Sequence, residues 1–273
     1  MHKELNEFEI NEVKKQAQEK LGVCRKTNEI IGKQIFSILR LYARVIYYPL
    51  GENAPWGFTR ISGTRNDAGL EKPFVAINTS IPVSSQVFAA AHELYHIWYE
   101  QKPDVLPVDL LDEEGKEKNE KKANRFAAEF LVDDMMLAQE IRIYNIKKVD
   151  IKAVLQLSEL FTVPYKAMVK RLFETGHIGT DEKIKLLNES DESVEQYKKK
   201  YAISSGEADN RIAVDNLVEL AANAFESGLI AYEKLEYLLE MCGLTPSDLG
   251  IEKAGSSEFP SDDELDDIME GEE

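Results

Sequence analysis

Only two cysteines and four histidines occur among the 273 residues. Cys24 and Cys242 lie far apart, in segments of helical pattern and without metal-ligand spacing, so no disulfide framework is expected and both read as buried free thiols. Long apolar runs are also lacking. The stretch "IFSILRLYARVIYY" is broken by arginine before it could span a bilayer, and the N-terminal "MHKELNEFEINEVKKQ" has neither the apolar segment nor the cleavage site of a secretory signal. A cytoplasmic protein without membrane contact is expected. Positive charge is scarce too: 33 Lys and Arg face 50 Asp and Glu, a net charge of −17. The last residues, "SDDELDDIMEGEE", hold no base at all, yet the chain without them is still acidic. Such a field repels phosphate backbones, which counts against direct nucleic-acid binding and favours a basic protein as partner.

The remaining composition supports a well-filled core, with 43% hydrophobic residues. Residues 1–40 read as an N-terminal helical segment. Three runs rich in aromatic and β-branched residues follow, "RVIYYPL", "WGFTRIS" and "PFVAINTS", separated by Gly, Pro, Asn and Asp as strands of a small sheet would be. Ser84 or Ser85 in "IPVSSQ" is the expected N-cap of a helix. A second helix covers "KEKNEKKANRFAAEFLV", and the sheet with these two helices forms an α+β core over 41–135. Beyond it the pattern is helical. Within 136–190, "KAVLQLSELFTVPYKAMVKRLFETGHI" has the outline of a helix-turn-helix with its turn at "TVP". Residues 191–210 read as a charged linker, within which "SVEQYKKKYA" could be helical, 211–251 as a C-terminal helical pair, and 252–273 as an acidic disordered tail. The helix-turn-helix carries few cations, Lys166, Lys170 and Arg171, offset by Glu159, Glu174, Asp181 and Glu182, so packing or partner binding is favoured over DNA binding.

Two of the four histidines stand four residues apart in "FAAAHELYHIWYE", Phe88 to Glu100. On a helix, residues at that spacing project from one face a turn apart, so His92 and His96 can offer ring nitrogens to a single point. Glu93 lies about 100° further round the axis, able to reach a ligand at that point without coordinating it. A catalytic zinc site requires such nitrogen donors and a carboxylate base, plus a third protein ligand and a position open to water. The downstream glutamates are Glu113, Glu114, Glu117, Glu120 and Glu129. Glu120 shares a helical stripe with Ala123, Asn124, Ala127 and Leu131, which is expected to carry its carboxylate toward the buried side, whereas Glu129 faces the opposite way. Glu117, one turn earlier, is the alternative; Glu113 and Glu114 are placed ahead of the helix. Asn124 follows Glu120 by one turn and can hydrogen-bond the far nitrogen of a ligand histidine, fixing its tautomer. Tyr95 and His177 are read as packing residues.

The combination of "FAAAHELYH" with "NEKKANRFAAEFLV" resembles the ImmA/IrrE family of metallopeptidases, and "NEKKAN" is similar to the second motif of thermolysin-like gluzincins. The resemblance covers roughly residues 40–180 and extends through "PFVAINTS" and the helix-turn-helix segment. The chain departs from the family pattern at Val87, Ala89 and Asp133, where arginine, threonine and proline are common. The resemblance implies a zincin-like peptidase domain with a small mixed sheet and an active-site helix, followed by a helical region. It implies one zinc ion on His92, His96 and Glu120, with Glu93 as base in peptide hydrolysis. It also implies a substrate, a helix-turn-helix transcriptional repressor encoded nearby, cut to switch on mobile-element or stress genes. Extended substrate is expected to pair with the strand "FVAINTS". The alternative is a non-proteolytic regulatory binding protein, an anti-repressor or adaptor with a structural or vestigial metal site.

Overall fold

The computed structural model describes residues 4–60, 65–66, 69–70, 72–100, 113–203 and 206–252. The chain divides into two compact units, Met1–Asp215 and Asn216–Glu273. In the first, helices α1 (Glu7–Val23) and α2 (Ile35–Tyr42) precede strands β1 (Arg44–Tyr48), β2 (Gly57–Arg60), β3 (Arg65–Asn66), β4 (Gly69–Leu70) and β5 (Phe74–Asn78). Helices α3 (Val83–Tyr99), α4 (Glu113–Leu131), α5 (Asp134–Ile143), α6 (Ile151–Phe161), α7 (Tyr165–Glu174), α8 (Thr180–Leu187) and α9 (Asp191–Tyr201) follow, and β6 (Ala213–Val214) closes the unit. The fold is α+β with a small mixed sheet, in the order β2-β5-β1-β6. β1 and β5 run parallel, while β2 on β5 and β6 on β1 are antiparallel.

Period-2 alternation explains how the sheet packs. Val45 and Tyr47 of β1 pair with Val75 and Ile77 of β5, and all four are buried in the main core. The helices supply Val87, Ala90, Ala91 and Leu94 from α3 and Ala123, Phe126, Ala127 and Phe130 from α4. Alanines on α3 let neighbouring backbones approach, whereas α4 meets α3 through aromatics: Trp98 packs edge-on against Phe126 and Phe130, and Tyr95 lies 5.6 Å from Phe126. The N-terminal helical segment packs into the same core. Val13, Ala17 and Leu21 of α1 are in the same core, and Lys118 and Lys122 of α4 pair with Glu9 and Glu12 of α1.

Three expectations need correction. Helix α3 is capped by Pro82, whose extended ψ and free carbonyl receive the N–H groups of Ser85 and Gln86; Ser84 and Ser85 fall inside the first turn. Helix α4 starts at Glu113, so Glu113 and Glu114 belong to it. Finally, 191–210 is a linker only in part, and the helix left open for "SVEQYKKKYA" is present. Its first eleven residues form α9, capped by Ser190, and the chain then returns to the sheet. Gly206 O accepts the Val83 N–H at 2.8 Å, Thr79 donates to Arg211 O, and the Arg211 guanidinium covers the rings of Tyr47 and Phe36. The charged composition of α9 hid these anchors, which depend on long-range contacts.

The helix-turn-helix outline matches α6 and α7, joined through Thr162 in the left-handed region, φ 55°. Two of its three cations are occupied by the fold: Lys166 pairs with Asp191 at 3.0 Å, and Arg171 is 1% exposed. Arg171 donates to Val132 O at 2.8 Å and to the carboxylates of Glu129 and Asp134. Asp133, at a position where the resembling family favours proline, caps α5 by accepting the N–H groups of Met135 and Met136. The second unit holds α10 (Leu217–Glu226) and α11 (Tyr232–Glu240) around Ala221, Leu235 and Leu239. The acidic run 253–273 lies outside the described residues. No helix among the described residues is long and apolar enough to cross a membrane.

Candidate metal centre

Helix α3 places His92 and His96 one turn apart, and their Nε2 atoms approach to 3.0 Å. Glu120, from α4, reaches over them: its Oε2 lies 3.1 Å from His92 Nε2 and its Oε1 3.7 Å from His96 Nε2. The imidazoles form the floor, with side chains 15% and 14% exposed, and Glu120 forms the rim at 58%. This corrects the expectation that its carboxylate points to the buried side. The buried stripe of α4 begins at Ala123, and Glu120 sits just before it, where the helix overhangs α3. Glu117 pairs with Lys121 at 2.8 Å and is absent from the metal-competent group. Glu129 is buried on the far side of α4 with Arg125 and Arg171.

The Nδ1 atoms face acceptors. Asn124 Oδ1 lies 3.1 Å from His92 Nδ1, the arrangement expected of Asn124, and Glu100 Oε2 lies 2.8 Å from His96 Nδ1. A proton on Nδ1 leaves the Nε2 lone pair of the neutral ring exposed on the opposite side. Two such lone pairs and a carboxylate then converge, an arrangement that attracts a cation. From His92 Nε2 the separations are 3.0 Å to His96 Nε2 and 3.1 Å to Glu120 Oε2, close to the spacing of about 3.3 Å between donors of a tetrahedral ion with bonds of about 2.0–2.1 Å, and the other Glu120 oxygen lies 3.7 Å from His96 Nε2. The residues present therefore fit a metal ion, held by His92, His96 and Glu120.

Glu93 points from α3 toward the sheet and is 4% exposed. Thr59 Oγ1 on β2 donates to its Oε2 at 2.7 Å. Burial raises the Glu93 carboxyl above the ordinary range, while the Thr59 bond and the two imidazoles pull it back. Burial alone would lower His96, but the bond to Glu100 and the surrounding carboxylates outweigh it and raise the ring. The Glu120 carboxyl is lowered, chiefly by its hydrogen bond with His92. Tyr95 packs against Phe126 and Tyr99, and burial lifts its phenol to about 12.

Thr59, Gly57 and Glu100 were not anticipated in the sequence reading. Glu100 carried a signal, since it stands four residues after His96 on the same helix; Thr59 and Gly57 reach the site only through strand pairing. The absent side chain at Gly57 matters. A Cβ there would lie 3.0 Å from Glu93 Oε1 and 3.2 Å from Ala76 O, and the latter is backbone that cannot swing aside. Gly57→Ala is expected to destabilise the fold by about 1–3 kcal/mol in urea unfolding. An unchanged midpoint would mean that β2 shifts freely away from α3.

A helix bearing two histidines, packed on a small mixed sheet and followed by a helical region, is the architecture of a zincin-like metallopeptidase domain. Residues 40–173 match the family described as the IrrE N-terminal-like domain, a match that supports an ImmA/IrrE family metallopeptidase. No curated protein and no solved structure matches it significantly.

Proposed function

We propose that the chain is a zinc-dependent endopeptidase of narrow specificity that cuts a basic, DNA-binding transcriptional repressor. The supporting observation is the convergence of His92, His96 and Glu120 beside a buried Glu93. Imidazole and carboxylate donors in that number suit zinc, which when bound would polarise a carbonyl and lower the pKa of water toward about 7. Glu93 is the base. Thr59 holds one of its oxygens, leaving the other to take a proton from the attacking water and pass it to the departing amine. Partial desolvation strengthens Glu93 as a base for that transfer.

Extended substrate is assigned to β2 rather than to the strand expected from the sequence. β5 lies between β1 and β2, with both edges used, whereas β2 ends the four-stranded sheet and touches Glu93. A peptide paired there would run past the base by β-strand addition. The net charge of −17 favours a basic partner. The purified chain is expected to carry a single zinc ion, lost in Glu120→Ala, and to cut a helix-turn-helix repressor encoded beside it at a discrete position. A chelator should abolish the cut. A zinc-loaded chain that leaves every such repressor intact would count against this substrate, and a chain whose zinc content ignores Glu120→Ala would count against the site.

A further inference from the structure

We propose that Glu100 is a positioning residue for the metal centre, orienting His96 and giving that imidazole an anionic backing that His92 lacks. The proposal rests on the metal-binding reading of His92, His96 and Glu120. Glu100 closes α3, its N–H bonded to His96 O at 3.0 Å, and its side chain folds back one turn so that Oε2 meets His96 Nδ1 at 2.8 Å. The opposite histidine rests on a neutral amide, Asn124, at 3.1 Å. The two rings are thus held by partners of unequal charge, and only the far side of His96 rests on a carboxylate.

The placement of Glu100 is otherwise unfavourable. An acid at a helix C-terminus opposes the helix dipole. Its second oxygen, Oε1, is buried without a hydrogen-bond partner among the described residues, and its one ion pair there is with His96. A surface glutamate placed only to bridge successive helical turns would keep that oxygen in water. The geometry instead matches a carboxylate desolvated in order to hold one ring, with the proton fixed on Nδ1 and Nε2 directed at Glu120.

Zinc affinity, measured by competition with a chromophoric chelator, tests this in the full chain. Glu100→Ala is expected to weaken zinc binding by about 10–100-fold. Glu100→Gln should fall between it and the wild type, because an amide oxygen still accepts from Nδ1–H but brings no charge. The visible absorption of the cobalt-loaded Glu100→Gln chain should shift relative to wild type. Melting of the metal-free chains at about pH 8, above the ordinary histidine range of about 6.5, should be the same for all three. Wild-type affinity in Glu100→Ala would overturn the proposal, as would a loss matched by an equal fall in metal-free stability. Glu120→Ala serves as the control. If it binds zinc as the wild type does, the metal-centre reading fails and takes this proposal with it, whereas a loss in Glu120→Ala beside an unchanged Glu100→Ala defeats this proposal alone.

Discussion

Replacing Glu93 by glutamine is expected to slow peptide hydrolysis by about 10²–10⁴-fold while zinc continues to bind. Glutamine keeps the volume of a side chain that is 4% exposed and wedged between α3 and β2. Its amide oxygen can still accept from Thr59 Oγ1, so the strand contact survives. What disappears is the ability to take up a proton. The residues proposed to hold the metal, His92, His96 and Glu120, are untouched, so zinc content should equal that of the wild type. Repressor turnover measured beside metal content separates base from ligand. The same variant tests the adaptor reading: repression relieved at the normal level by an inactive Glu93→Gln chain would show that binding, not cutting, is the function.

The second large effect is on stability. Arg171→Met is expected to cost about 3–5 kcal/mol, because it strips a partner from Glu129, a carboxylate that the fold has already desolvated. Arg171 is the largest fully buried side chain among the described residues, and its guanidinium joins α7 to Glu129 on α4, to Val132 O and to Asp134 on α5. Arg125 still donates to Glu129 at 2.9 Å, so the charge is not wholly abandoned, which argues for the lower part of that range. Urea unfolding measures the loss. Pairing the change with Glu129→Met removes the stranded charge and should recover much of it. A fall below about 1 kcal/mol in the single variant would mean that water reaches Glu129 once the guanidinium is gone.

The site was legible where its logic is local. His92, Glu93 and His96 declare themselves through helical spacing, and Glu120 with Asn124 through the same periodicity one helix later. The depth of each group was not legible. Glu120 was expected toward the buried side and lies at the rim, because exposure depends on how α4 crosses α3, which is set by aromatic contacts such as Trp98 with Phe126 and Phe130. Thr59 and Gly57 escaped notice because only the pairing of β2 with β5 brings them against Glu93. Arg171 was counted only as one of the few cations of the helix-turn-helix, offset by nearby acids. A lone arginine in an amphipathic segment looks solvated until a carboxylate from a distant helix is found beside it. In the fold, the strands and the helix-turn-helix followed their expected runs, while composition concealed the structured return after α9.

That return has a consequence for anyone who would excise the catalytic module. The family match stops at residue 173, yet β6 closes the outer flank of β1, and a carbonyl from Gly206 satisfies the first amide of the histidine-bearing helix. At the other end, α1 fills the trough beside α4. The inherited motif and the self-sufficient body are thus different lengths of chain. A graft cut at 40 and 173 would leave a raw sheet border and an unfinished helix start, with the chemistry intact on paper and its scaffold missing.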